Sequence, residues 1–143
     1  MAQVFLDHFI EAHTTYYNIA LAELELGLKT THWMWFIFPR ASGLGRSEFS
    51  KYYAIDKLSE ARAFARHEYL GDNYCNCLRA LLAHRDTPID DILGEVDSRN
   101  LQSSLTLFKR AETVSEMALL ISEALEHYFF GNECKRTIKL SLN

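Results

Sequence analysis

Apolar residues recur at helical spacing along most of this chain, and this pattern constrains its fold more than any other feature. Steps of three and four residues place side chains on one face of a helix. They recur over residues 59–66, 69–84, 97–108 and 117–128. The first stretch steps through Phe5, Phe9, Ala12, Tyr16 and Ile19 and ends near Gly27. We predict an all-α fold, a single compact multi-helix domain over residues 1–143 arranged as an orthogonal or irregular bundle.

Local signals predict several helix ends. Thr87 has the side chain of an N-cap residue, and Pro88 would then occupy the first helical position. The spacing from Thr113 to Glu116 is that of a capping box. Glycine adopts the left-handed conformation common just after a helix, so three glycines are predicted stops. They are Gly27, Gly94 and Gly131.

Size and composition predict a globular protein. With 143 residues, 48% of them apolar and 24% charged, the chain can bury a core without disulfides or a metal. The net charge of −4 argues against a general nucleic-acid binder, although a local basic pocket can occur on an acidic protein. The amino terminus lacks the basic region of a signal peptide, and the longest apolar run is six residues. We therefore expect a cytoplasmic protein that does not span a membrane.

Three cysteines, Cys75, Cys77 and Cys134, are an odd number without the spacing of a disulfide framework. Cys75 and Cys77 would point about 200° apart on a helix, which disfavours a shared metal. We expect reduced and mostly buried thiols, no metal site and no cofactor.

The densest apolar stretch is the run of six large residues from Trp33 to Phe38, which follows His32. It would present apolar side chains on both sides whether it formed a strand or a helix, so its period is ambiguous. Either structure must be buried nearly all round. We predict that these six residues belong to the core.

His32 is the first candidate for chemistry. A histidine beside an aromatic cluster can act as a general acid or base, or bind a ligand through a hydrogen bond. The alternative is a neutral core histidine bonded to a backbone carbonyl. Trp33 and Trp35 can stack on a ring of a ligand, or simply pack in the core.

The second candidate is the loop from Gly43 to Ser47. Gly43 and Gly45 permit a backbone that exposes successive N–H groups, and Ser47 can cap a helix reaching Tyr53. With Arg40 and Arg46 beside it, this loop is a plausible anion site. It is not a known nucleotide signature, because Glu48 stands where the third glycine of G-x-G-x-x-G would be. The alternative is a capping loop with a solvated Arg46.

The third candidate is the polar side of the helix predicted from Asp97 to Phe108. Arg99, Ser103 and Thr106 would share one face, with Asn100 and Ser104 beside it, opposite Leu101, Leu105 and Phe108. Such a wall of hydroxyls and one cation can line a polar cleft. Most amphipathic helices instead expose this face to water.

Five blocks carry a resemblance to a known family. They are Lys29-x-x-His32-Trp33-Met34-Trp35-Phe36-Ile37-Phe38-Pro39, then Gly43-Leu44-Gly45-x-Ser47, Tyr53-x-Ile55 with Glu60-Ala61, Leu70-Gly71, and Asp97 with Ser103-Ser104-x-Thr106-Leu107-Phe108. The chain resembles the domain of unknown function 1810 family, small and mainly helical bacterial proteins. This resemblance implies a helical fold but no reaction, and it directs attention to the polar residues of the blocks. The family pattern has glutamine at Arg40, proline at Glu68, lysine at Asn100 and aspartate at Cys134.

We therefore hypothesise a pocket for a small anionic or nucleotide-like ligand beside the aromatic run. The predicted catalytic residue, if the protein is an enzyme, is His32. The predicted ligand-binding residues are Lys29, Trp33, Arg40, Gly43, Gly45, Arg46, Ser47, Asp97, Ser103, Ser104 and Thr106. The alternative function is a non-enzymatic interaction or regulatory module, with a protein partner or self-association.

Overall fold

The computed structural model describes residues 2–111 and 115–140, and the side chains of residues 5–111 and 116–140. In these ranges the chain forms nine helices. They are α1 (Ala2–Leu26), α2 (Met34–Ile37), α3 (Glu48–Tyr52), α4 (Leu58–Arg66), α5 (Glu68–Leu82), α6 (Ile89–Leu93), α7 (Glu95–Arg110), α8 (Ser115–Phe129) and α9 (Lys135–Lys139). The described residues contain no strand, only one isolated parallel bridge between Ala41 and Ile55. The predicted all-α fold is confirmed.

Four long helices, α1, α5, α7 and α8, organise the core. α5 packs between α1 and α8, while α7 packs on α8, α6, α4 and the short α9. Phe64, Tyr74 and Phe108, from three different helices, are fully buried and pack edge to face or tilted against each other. The bundle is therefore irregular, and the short helices α2 and α9 both pack on α7.

The aromatic run forms one helical turn, α2, with Trp33 just before it and Phe38 just after it. Trp33 and Ile37 are fully buried, and Phe36 and Phe38 nearly so. The prediction that this run belongs to the core is confirmed for five of its six residues and is wrong for Trp35, which is only half-buried. Burial of each large apolar side chain contributes about 1.5–3 kcal/mol, which explains why the segment is buried despite its short helix.

Helix ends agree with the local signals at the glycines and at Ser47. Gly27, Gly94 and Gly131 each follow a helix at positive φ, as predicted. The prediction at Thr87 is wrong by one residue, because α6 starts at Ile89 and Pro88 occupies the N-cap position. Gly94 also serves as the N-cap of α7, which therefore begins at Glu95 rather than Asp97. The predicted capping box at Thr113 lies outside the described residues.

The buried face of α1 departs from the predicted one after its third turn. Tyr16 and Ile19 are exposed, whereas His13 and Ala20 are buried. The reason is a polar partner for His13: its Nε2 lies 2.8 Å from the Phe36 carbonyl oxygen, and Asn73 contacts its Nδ1 at 3.0 Å. A pattern of apolar residues cannot reveal this, because the buried position is a histidine.

Among the described residues no helix combines the length and apolar character needed to cross a membrane.

Candidate functional site

An open cleft of about 920 Å³ lies over the amino-terminal half of α7. Its walls come from the start of the loop after α2, the loop before α3, the exposed side of α7, and the segment that connects α8 to α9. Six predicted ligand-binding residues line it: Arg40, Gly45, Arg46, Ser47, Asp97 and Ser103. The loop and the α7 face, more than 50 residues apart in sequence, are thus brought together.

The other predicted site residues do not line this cleft. Lys29 lies behind its wall, Gly43 faces a smaller neighbouring cavity, and His32 lies outside it. Trp33, Ser104 and Thr106 are fully buried. Their roles are structural in the arrangement described below.

Arg40 is half-buried in the wall of the cleft, and its Nη1 donates a 2.6 Å hydrogen bond to Asn100 Oδ1. Burial lowers the pKa of Arg40 from its ordinary value, and the nearby Arg136 cation lowers it further. An arginine keeps its charge at neutral pH even so. A guanidinium in this position is held beside a second cation with only an amide as its hydrogen-bond partner.

Gly45 makes room for Arg40. A Cβ atom at position 45 would lie 2.6 Å from Arg40 Nη2 and 2.5 Å from Ser50 Cβ. Both distances are below any ordinary contact, so a larger residue would displace the guanidinium or the first turns of α3. Glycine is thus required here for close approach, whereas Gly43 is required for its positive φ of 95°.

The cleft carries more positive than negative charge. Of its cations, Arg99 pairs with Glu95. Its two acids are also paired, Asp97 with Lys29 and Glu133 with Lys109. Within the described residues no carboxylate pairs with the remaining cleft cations, which are Arg40, Arg46, Lys135 and Arg136. A protein with a net charge of −4 therefore concentrates in one cleft four cations that have no carboxylate partner among residues 2–111 and 115–140.

Lys29 and Asp97 form the support beneath this cleft. Lys29 Nζ lies 2.9 Å from Asp97 Oδ2 and 5.1 Å from the centre of the Trp33 ring, and its side chain is 7% exposed. Asp97 Oδ1 accepts a hydrogen bond from Asn100 Nδ2, and Asn100 in turn accepts from Arg40. The chain Lys29–Asp97–Asn100–Arg40 fixes the Arg40 guanidinium at the cleft surface.

Ser47 caps α3, as predicted. Its Oγ accepts a hydrogen bond from Ser50 N at 3.1 Å and lies 2.8 Å from Ser50 Oγ. The helix is shorter than predicted, since it ends at Tyr52 rather than Tyr53. Because Ser47 is already used as a cap and α3 has only five residues, the cations rather than this helix dominate the electrostatics of the cleft.

His32 is exposed, so its alternative role as a buried core histidine is wrong; that role belongs to His13. Burial lowers the pKa of His13 to about 4, despite its bond with the Phe36 carbonyl, and the ring is neutral at pH 7. The His32 ring lies 6.3 Å from the Trp35 ring. His32 is therefore one side chain away from the cleft.

The two tryptophans have opposite environments. Trp33 is fully buried, its indole N–H donates to Glu23 Oε1 at 2.9 Å, and it presents no surface to the cleft. Trp35 lines the cleft and is half-buried. One side of it stacks on exposed Phe49, with ring centres 5.2 Å apart and planes 25° apart. The residue that could contact a ring is thus Trp35.

Two hydroxyls predicted for the ligand site belong to the interior. Ser104 Oγ lies 2.9 Å from the buried Tyr74 hydroxyl. Thr106 Oγ1 donates to the Gln102 carbonyl and accepts from the backbone N–H of Cys134, both at 2.8 Å. The alternative of a polar α7 face exposed to water is also wrong for these residues, because α5 and the segment before α9 cover them.

Residues 132–136 form one wall of the cleft, although none of them is among the predicted ligand-binding residues. Three contacts fasten this segment to α7. Gln102 Nε2 donates to the Asn132 carbonyl, Lys109 pairs with Glu133, and Thr106 holds Cys134. The available signal was the run Cys134-Lys-Arg136 just after the predicted stop at Gly131, two adjacent cations beside a cysteine.

The family described as Protein of unknown function (DUF1810) matches residues 3–141 of the chain. The chain belongs to this family. Its structure is similar to the crystal structure of the conserved hypothetical protein Rv1873 from Mycobacterium tuberculosis, with 35% sequence identity, a TM-score of 0.88 and coverage of 93% of each chain. A comparison with curated proteins found no match. The resemblance seen in the sequence blocks is thus confirmed, and neither description states an activity.

Two departures from the family pattern contact each other directly. The resemblance implies a glutamine at position 40 and a lysine at position 100, where this chain has Arg40 and Asn100, bonded at 2.6 Å. In this chain the contact therefore joins a cation at position 40 to an amide at position 100.

Proposed function

We propose that the cleft over α7 binds a small anionic ligand through Arg40 and Arg136. The observation that supports this most directly is that two guanidinium groups line the same cleft without a carboxylate partner in the described residues. Like charges held together in a partly buried site repel each other, and a phosphate or carboxylate group relieves that repulsion. Arginine also binds such groups with two parallel hydrogen bonds.

The aromatic edge of the cleft favours an anion that carries a planar ring, as a nucleotide does. Trp35 lines the same cleft as the cations, and Phe49 supports it from one side. A ring packed on Trp35 and an anionic group at Arg40 would both fit in a volume of 920 Å³, which is within the range of known ligand sites. Catalysis is not part of this proposal, because His32 lies outside the cleft.

Thermal unfolding with a graded panel of anions tests the proposal. The panel contains inorganic phosphate, ribose 5-phosphate, nucleoside monophosphates and aromatic carboxylic acids. A ligand at 100 times its dissociation constant should stabilise the protein by about 2.7 kcal/mol. We expect nucleoside monophosphates to bind more tightly than ribose 5-phosphate, since only the former can stack on Trp35.

Arg136→Gln is the decisive variant, because Arg136 is exposed and its replacement should not disturb the core. We expect its dissociation constant for the best anion to rise about tenfold, which corresponds to about 1.4 kcal/mol. Arg99→Gln is the matched control: it removes a cation of the same cleft that is already paired with Glu95, and it should change affinity less than twofold.

Equal losses in the two variants would contradict the specific role of the Arg40–Arg136 pair. If no anion in the panel stabilises the protein, the cleft proposal is wrong. Purification of a defined complex with a protein partner in that case would support the alternative of an interaction module. His32→Gln tests whether His32 takes part in binding. Because His32 lies outside the cleft, the affinity for the best anion should be unchanged in this variant.

A further inference from the structure

We propose that Cys134 is a modification site within the cleft, a reactive thiolate that exchanges with small disulfides bearing negative charge. This inference rests on the proposed function, because the cations that would hold an anion would also attract the disulfide. It adds a covalent step and a defined reacting atom, Cys134 Sγ. Neither the family description nor the similar structure assigns such a role.

Cys134 has the surroundings of a reactive cysteine. It is half-buried in the cleft wall, near Arg40, and Ser103 Oγ lies 3.3 Å from its sulfur. Burial raises the pKa of the thiol, but the hydroxyl of Ser103 and the backbone N–H groups of Thr137 and Arg136 outweigh this and lower it. Partial exposure combined with positive surroundings is what distinguishes reactive from inert cysteines.

Thr137 provides an independent sign that something is to be bound here. Thr137 is the third residue of α9, which places its side chain beside that of the N-cap residue Cys134, and it is 2% exposed. Thr137 Oγ1 is the buried side-chain oxygen that lacks a hydrogen-bond partner within the described residues. Such groups are rare and costly in native proteins. A neutral thiol is a poor hydrogen-bond acceptor. A thiolate, or a polar atom bound to the sulfur, would accept a hydrogen bond from the Thr137 hydroxyl.

The position of Cys134 is fixed rather than accidental. Its backbone N–H donates to the buried Thr106 hydroxyl at 2.8 Å, which ties the residue to α7. The other two cysteines differ from Cys134 in their burial and in the direction of their pKa shift. Cys75 and Cys77 are buried in α5, and burial raises the pKa of both thiols. The chain thus contains two internal controls for the reactivity of Cys134.

The proposed step is thiol–disulfide exchange. The Cys134 thiolate attacks one sulfur of the disulfide in line with its S–S bond. A new bond forms between Cys134 Sγ and that sulfur while the original S–S bond breaks. The other half leaves with the bonding electron pair as a thiolate, which takes up a proton from water according to its own pKa. The product is a mixed disulfide on Cys134, and no further oxidant is needed.

Two disulfide reagents of opposite character test this on the full chain. The anionic one is 5,5′-dithiobis(2-nitrobenzoate), and the neutral one is 4,4′-dithiodipyridine. We expect one thiol per folded chain to react in a fast phase, with mass spectrometry locating it at Cys134. We compare the rate ratio of the anionic to the neutral reagent at Cys134 with the same ratio for an uncharged small-molecule thiol. The ratio at Cys134 should be about tenfold higher or more, in line with electrostatic steering.

Variants separate the contributions. Cys134→Ser should abolish the fast phase, and Cys75→Ser should leave it unchanged. Arg136→Gln should reduce the preference for the anionic reagent without removing the fast phase. Thr137→Val, which keeps the shape of the side chain but lacks its hydroxyl, should slow the exchange with both reagents about fivefold, the effect of one lost hydrogen bond.

A fast phase that persists in Cys134→Ser, or a Cys134 that reacts no faster than a free thiol, would overturn the proposal. If phosphate still stabilises the protein in that second case, the proposed function stands and only the reactive thiol is refuted. If Cys134 reacts fast but equally well with both reagents, the proposal that its partners are negatively charged disulfides is wrong. If, in addition, phosphate does not bind, the proposed function is refuted as well.

Discussion

Two polar clusters on either side of the aromatic run differ in whether their charges are satisfied. On one side, Glu23 accepts five hydrogen bonds, from the backbone and hydroxyls of Thr30 and Thr31 and from Trp33 Nε1; we call these four residues the Glu23 cluster. On the other side, Arg40 has an amide partner and a second cation, Arg136, nearby. The first cluster leaves no atom for a ligand, and the second leaves two guanidinium groups available.

This difference shows why a polar residue near the aromatic run need not be a binding residue. A carboxylate with all its acceptor positions occupied stabilises the loop that leads into α2. A guanidinium without a counter-charge costs stability, and such an arrangement persists where it serves binding. The predictions below test whether the Glu23 cluster acts on folding alone and the cleft on binding alone.

The largest expected effect is that of Glu23→Ala on stability. The substitution leaves the buried Trp33 N–H without an acceptor and releases the turn at Thr30 and Thr31. We expect a loss of about 3 kcal/mol or more in the free energy of unfolding, measured in urea. Glu25→Ala, an exposed residue on the same helix, should cost less than about 0.5 kcal/mol. Similar losses in the two variants would refute the structural role of the Glu23 cluster.

The second effect is a pH dependence of stability with two stages. Folding lowers the pKa of His13 from 6.5 to about 4, chiefly through burial, so the unfolded chain binds the extra proton and stability falls from pH 6.5 towards 4. Burial raises the pKa of Glu23, but its hydrogen bonds outweigh this and lower it from 4.5 to about 2. Its contribution is complete above pH 4.5 and is lost as the pH falls through about 2.

Thermal unfolding from pH 7 to pH 2 measures both stages. Glu23→Gln has no carboxylate at this position, so the difference in stability between wild type and variant should shrink only below about pH 4.5. A difference that instead shrinks between pH 6.5 and 5 would assign the titration to another group.

The smallest expected effects are those of replacing Gly45 or Gly43, two glycines of one loop, on anion affinity and on stability. Gly45→Ala places a Cβ 2.6 Å from Arg40 Nη2 and should lower anion affinity about tenfold by moving the guanidinium. Gly43→Ala meets nothing closer than 3.6 Å but strains a backbone with φ of 95°. It should cost about 1 kcal/mol of stability and leave affinity within twofold. Calorimetric titration with the best anion separates the two, and equal affinities would contradict the positioning of Arg40 by Gly45.

Much of the fold could be predicted from local patterns. The apolar run from Trp33 to Phe38 is buried except for Trp35, as expected for a segment with apolar side chains on both sides, and Gly27, Gly94 and Gly131 end helices at positive φ. Ser47 caps α3 because its own side chain reaches Ser50 N. Each of these outcomes depends on residues within a few positions of each other.

The candidate site was predictable only in part. The loop at Gly45 and the α7 residues Asp97 and Ser103 do line one cleft. Ser104, one residue beyond Ser103, points about 100° further round the helix and meets Tyr74 in the core instead. Without knowing which helices lie on either side of α7, a hydroxyl facing the cleft cannot be distinguished from one facing the interior.

By itself, the sequence determined the helical class, the buried aromatic run and most helix ends, because spacing and side-chain size act locally. Only the tertiary structure decided that His13 rather than His32 is buried, that Arg40 meets Asn100 across 60 residues, and that Cys134 enters the cleft through Ser103 and Thr106. The physical reason is that charge balance, burial and the pKa of a thiol depend on which distant side chains packing brings together, and no local pattern records those neighbours.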